Sequence, residues 1–592
     1  MDAALTGPPG PILETSVMAA VPSEIADHRD APPSARHPDV LMRPERLAAL
    51  QPSRLSMTRS FMRQAVDERW DIQRLAFDID AQSRGTAHYR IDANGVPLDF
   101  VLSSFEYQEA GRTGRIIGRA WDMMGGLLDG PATDAQIAQT RVELPKLYEG
   151  RATPNTLTWA RANRSSRVFA HAVEALARGQ QPDIATVAQV CYLMRNTGID
   201  GNGTFGTRSY KALERRHPLR KTLAAQMASA YMMRVFAVDL VNRLARARSS
   251  QAVELSPEYQ QFLGIGNGSA LGLIFFLHNH PHLINRWLTA REQAVVAAKS
   301  LKVDAGSPVV LHLRNLLDRA IAFRREDRME YEHFAPSALV ASELAKARED
   351  VDTLYRTGLV RGRRTTYPLN VLADVLEGEI HIEAHETLLA LYIELVPELA
   401  DRLVADVLDV EEEMPVQPEM TAGYLRDILH AEYAWALAMD LTTEASRRYV
   451  WYKSATAEEP RRGPREEVGD AHQLGLDLPR YVQQLEQVLA GVPPRTRMAH
   501  VLLRHPHLRA IVARIQSLRG LPYHSPQMNI MGEDFIPIHI VRLLNVAIHG
   551  VDRPRDYLGR NLRGVLFLGA PTPDAIRAGT DHDWFCPLEP KQ

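Results

Sequence analysis

Two long stretches of this chain, Thr113 to Leu301 and Val309 to Asp409, repeat apolar residues mostly at the spacing of a helix. Residues at i, i+3, i+4 and i+7 line one side of a 3.6-residue turn, so such stretches favour helices that bury a stripe. The clearest case is KTLAAQMASAYMMRVFAVDLVNRLARA, which starts at Lys221. A second, RVFAHAVEALARG, is closed by Gly179, because glycine readily takes the left-handed conformation that ends a helix. Further helices are expected at Arg54 to Asp67, Thr421 to about Met439, Leu478 to Leu489 and His500 to Leu518. The expected fold class is mainly α, a multi-helix globular protein.

One segment breaks the pattern. From Thr86 to Tyr107 the chain alternates on both sides of Asp92-Ala93-Asn94-Gly95. Asn-Gly between two such runs signals a hairpin, since both turn residues must take positive φ. A small β-hairpin element is therefore expected near residues 86–107, and the tail from Gly564 to Pro573 is read as one further buried strand.

A chain of 592 residues needs roughly two to four lobes. Residues 1–50 read as a flexible, Pro/Ala-rich arm, and 51–410 as a large helical region containing the hairpin. An acidic, proline-containing linker follows at Glu411 to Glu419. Residues 420–592 then form a C-terminal helical region with irregular polar loops. The strings LHNHPHLINRWL and LLRHPHLRAIV share His-Pro-His-Leu and mark helix starts, where proline's missing N–H costs nothing.

Charge and apolar content narrow the partners. A net charge of -3 provides no long-range field for nucleic acid or an anionic membrane surface, so neither is expected. The most apolar run, Ala270 to Leu277, is far short of the ~20 residues that span a bilayer. The first residues lack the basic and apolar regions of a signal peptide, and the two cysteines form no Cys-x-x-Cys, so a cytoplasmic setting is expected.

The richest chemistry lies in Arg447 to Arg465, RRYVWYKSATAEEPRRGPR. Arg461 and Arg462 can hold a carboxylate or phosphate through two parallel hydrogen bonds. Glu459 can move a proton, while Tyr452 and Ser454 orient the substrate. The plain alternative is a solvated charge run whose pairs contribute ~1 kcal/mol or less each. A second irregular segment, PYHSPQMNIMGEDFIP, adds Asn529 and Glu533, and the two loops are expected to meet at one pocket. Two Gly/Asn-rich interruptions, Arg195 to Thr207 and Gly264 to Gly272, carry Arg195, Asn202 and Asn267. Each is read as preceding a helix whose free N–H groups suit an anion.

The expected function is a cytoplasmic enzyme acting by acid–base chemistry on a small anionic molecule. Gly201, Gly203 and Gly206 spell G-x-G-x-x-G. However, VAQVCYLMRNTGID before them reads as helix and no acid stands near position 226, so no dinucleotide is expected. One alternative is a metalloenzyme. His381 and His385, at i and i+4 on one expected helix, would share a face and take a divalent metal. The other alternative is a non-catalytic helical scaffold.

Overall fold

A computed structural model describes residues 31–106, 121–196, 204–206, 208–267, 280–327, 335–409, 414–443, 451–453, 460–462, 471–472, 478–523, 542–551, 564–580 and 584–591. The Asn-Gly turn forms as its chemistry requires. Asn94 and Gly95 have φ of 54° and 83°, and the Asp92 carboxylate accepts the Gly95 N–H at 2.6 Å. Strands β1 (Asp71–Ile79), β2 (Gly85–Ala93) and β3 (Val96–Ser104) pair antiparallel around it.

This hairpin is not a small isolated element, which corrects the expected fold class. Among the described residues, nine strands form one curled, mixed sheet in the order β1-β2-β3-β4-β5-β6-β8-β12, with β7 also paired to β5. The added strands are β4 (Met123–Asp129), β5 (Thr156–Arg164), β6 (Tyr192–Asn196), β7 (Thr204–Gly206), β8 (Gly264–Asn267) and β12 (Gly564–Leu566). The reason they escape a reading by period is physical. Every residue of β5 is buried, as are all of β4 but the last, so both faces are apolar or packed and no in–out alternation shows. β7, β8 and β12 are too short to show any period. The helical content is nonetheless large, and the expected strand in the tail is β12.

The helix Ala224–Arg248 lies against β4, β5, β6, β7 and β8. Residues Met227 to Met233 are buried without interruption, almost two turns, so that part of the helix is enclosed on every side. Its Arg234 guanidinium, itself buried, donates to the carbonyls of Gln260, Gln261, Leu263, Ala570 and Pro571. One side chain thus ties the chain entering β8 to the chain leaving β12.

The remaining long helices include Pro281–Lys299, Pro308–Glu326, Ser337–Thr357, Pro368–Glu377, Ile382–Ile393 and Pro397–Leu408. Both His-Pro-His-Leu strings begin helical turns. His280, Tyr367, Val396 and His505 all precede proline, and all have φ between -130° and -126° with ψ of 54° to 73°. The proline ring excludes the α conformation at the residue before it, which makes this one recurrent start. Residues 31–50 of the Pro/Ala-rich arm carry the short helices Pro38–Leu41 and Pro44–Ala49, with Leu41, Leu47, Ala48 and Ala49 buried. No helix among the described residues is long and apolar enough to cross a membrane.

Candidate functional site

β6 and β8 are parallel neighbours in a sheet whose other pairs run antiparallel. They end at Asn196 and Asn267, which pair with each other, and Asn267 pairs on its other side with Gly564, the first residue of β12. Residues paired across neighbouring strands share a face, so Asn196, Asn267 and Gly564 form one row at one end of the sheet. The Gly/Asn-rich segments continue in sequence directly after Asn196 and Asn267. The carboxyl ends of parallel strands, where connections part, are the usual binding crevice of open sheets.

A single π turn, Asn545–His549, lies over Gly564 and Asn267 and ends at Gly550 in the left-handed conformation. Asn545 and His549 are fully buried. A Cβ at Gly564 would stand 2.5 Å from His549 Cε1 and 2.6 Å from Asn545 Oδ1, so only glycine admits them. π turns within helical segments are concentrated at functional sites, because the extra residue re-aims side chains at a cost in stability.

The hydrogen bonding of this cluster is incomplete among the described residues. Asn267 Nδ2 lies 3.3 Å from His549 Nε2. An amide nitrogen only donates, so Nε2 accepts and the imidazole proton resides on Nδ1. Burial pushes the His549 pKa down to about 3, which keeps the ring neutral at physiological pH. His549 Nδ1 and both amide atoms of Asn196 and Asn545 are buried without a hydrogen-bond partner among the described residues. Nearly all buried polar atoms in folded proteins find a hydrogen-bond partner, and among the described residues these have none.

Of the residues singled out from sequence, Arg195 and Asn267 lie on neighbouring strands, but only Asn267 stands in the row. Arg195 sits in β6 opposite Gly266, one position from the row and therefore on the alternate face. The run before the glycines is strand β6, not helix, and the chain returns to the sheet at Thr204–Gly206 instead of opening a helix. Asn196 pairs with Ala162 and Thr204 with Ala160, so both flanks lie along the same edge of β5. Asn202 lies outside the described residues, as do Ser454, Glu459, Asn529 and Glu533.

Tyr452, Arg461 and Arg462 belong to a second sheet with order β10-β9-β11, built from β9 (Trp451–Lys453), β10 (Pro460–Arg462) and β11 (Ala471–His472). Its register sets Tyr452 between Arg461 and His472, and Trp451 opposite Arg462.

The two histidines proposed as metal ligands do not share a helical face. Their expected helix is two helices, Pro368–Glu377 and Ile382–Ile393, with Gly378 between them. His381 is the N-cap, with φ -58° and ψ 144°, and its Nδ1 accepts the Glu383 N–H at 3.2 Å. His385 Nε2 lies 3.0 Å from the Ala373 carbonyl, and burial lowers its pKa, so the neutral ring donates there. Among the described residues no group of three or more His, Cys, Asp or Glu is placed to hold a metal ion.

Sequence reasoning missed Asn196, Asn545, His549 and Gly564. The available signal was slight: Asn196 and Asn267 each open a glycine-rich segment, and Gly564 opens the apolar run of the tail. No family model, curated protein or solved structure matches this chain.

Proposed function

We propose that this chain binds a small oxygen-rich anion, one bearing a carboxylate or phosphate, at the carboxyl ends of β6 and β8. The observation that supports this reading is the set of buried groups on Asn196, Asn545 and His549 that have no partner among the described residues. Their amide N–H groups and the His549 Nδ1–H are buried donors, and Asn196, Asn267 and Gly564 bring no carboxylate into the row to attract a cation. Neutral donors in a dry setting hold an oxyanion by hydrogen bonds whose strength rises as the local dielectric falls. A neutral imidazole donor of this kind also stabilises negative charge that develops on a substrate oxygen, which suits an enzyme as well as a binding protein.

A second reading keeps the acid–base enzyme at the smaller sheet, with Arg461 and Arg462 on the anion and Tyr452, Ser454 and Glu459 acting on it. The register that sets Tyr452 beside Arg461 and His472 supports it. Both readings suit a cytoplasmic metabolite. The test is the unfolding midpoint of the full chain against a panel of small carboxylates and phosphates. One class should raise the wild-type midpoint and leave Asn196→Leu unmoved. If Asn196→Leu responds like the wild type while Arg461→Ala does not, the site is the smaller sheet. If no compound moves the wild type, neither reading stands.

A further inference from the structure

Five arginines between residues 36 and 63 meet carboxylates carried by four helices far along the chain. Arg36 grips Glu292 with two bonds, Nη2 to Oε1 at 2.7 Å and Nε to Oε2 at 2.9 Å, and also reaches Glu386. Arg46 spans Glu386 at 2.9 Å and Glu377 at 2.7 Å. Arg54 holds Asp401 at 2.8 Å, while its backbone N–H donates to Glu394 at 2.7 Å. Arg59 bonds Glu394 at 2.9 Å and Arg63 bonds Asp401 at 2.7 Å. Five arginines therefore face five carboxylates, and Glu292 and Glu386 also hold the fully buried Arg291. Paired, hydrogen-bonded charges of this sort fix register and orientation more than they add stability.

The helix Met57–Asp67, which carries Arg59 and Arg63, continues to the π turn. Thr58 Oγ1 donates to the Ile548 carbonyl at 2.7 Å. The chain just after the turn lies on the same helix, since a Cβ at Gly550 would stand 3.1 Å from both Ser56 Cβ and Arg59 Cγ. Nothing in the small-molecule chemistry of the site requires these contacts. They connect a segment anchored by buried apolar side chains and by these ion pairs to the element that carries Asn545 and His549.

We propose that residues 36–63 form an ionic clasp that positions the π turn, so that releasing the clasp loosens Asn545 and His549. Its functional meaning rests on the strand-end site, but its test needs no ligand, so the two stand or fall separately. Amide hydrogen exchange is measured on the full chain in wild type and in Arg54→Ala/Arg63→Ala. The helix Leu478–Ala490, which carries none of the clasp's partners, serves as the control. Exchange across 545–551 should accelerate at least tenfold in the variant while the control stays constant. Unchanged exchange across 545–551, or an equal rise in both regions, overturns the proposal. If the double variant does not fold, Arg54→Ala decides the matter by the same readout, because its partner Asp401 sits at the rim, 39% exposed.

Discussion

Replacing Asn545 with leucine should make the empty protein more stable. The side chain is fully buried and neither amide atom has a hydrogen-bond partner among the described residues. Burying an amide without partners costs ~1–3 kcal/mol, and that penalty disappears with an apolar side chain of nearly equal size. Some of the gain is offset where a leucine methyl presses on Gly564, over which Asn545 already sits closely. The net expectation is a gain of ~1–2 kcal/mol, roughly a 5–30-fold increase in the folded-to-unfolded ratio. Urea unfolding of protein freed of small molecules, followed by tryptophan fluorescence, reads it as a higher midpoint at constant slope. With ligand in excess the order should reverse, because only the wild type gains the binding free energy. A loss of more than ~1 kcal/mol in the empty variant would mean that the amide is already satisfied, and would refute the reasoning.

Three further outcomes follow from the same geometry. The folded His549 refuses a proton that the unfolded imidazole accepts between pH 6.5 and about 3, so stability should fall as the pH falls through that window, by up to ~1.4 kcal/mol per unit. His549→Gln should flatten that part of the pH profile in urea titrations at pH 6.5, 5.5 and 4.5. Glu386→Gln removes the charge that holds Arg36, Arg46 and the buried Arg291, and should cost ~3–5 kcal/mol in the same unfolding assay. Gly564→Ala forces its methyl against His549 and Asn545, and should cost ~1–3 kcal/mol and abolish any ligand-induced rise in the melting midpoint.

What could be read from the sequence was local. The Asn94-Gly95 turn, the helix starting near Ala224 and the proline-initiated helices each carry their instruction within a few residues. β4 and β5 carry none of that kind, since a strand packed on both faces has the same apolar run as a buried helix. His381 caps the start of the helix that carries His385 and has non-helical backbone, a boundary that a strict count of four residues cannot see. Asn267 and Arg195 were singled out because glycine-rich segments follow their strands, but Arg195 lies on the face opposite the row. His549 was not, because its bond to Asn267 joins residues 282 apart, and only the pairing of β8 with β12 brings them together. The window around Tyr452 and Arg461 was singled out for its mix of side chains, while its three-stranded pairing could not be read from them.

The account turns on whether the strand-end cluster is completed by a ligand. The most direct measurement is a high-resolution electron-density map of the full chain with a carboxylate or phosphate that raises its melting midpoint. The account predicts one connected feature, larger than water, within hydrogen-bond distance of Asn196, Asn545 and His549 Nδ1. Separate waters on these three side chains, or direct hydrogen bonds among them with the ligand elsewhere, would contradict it.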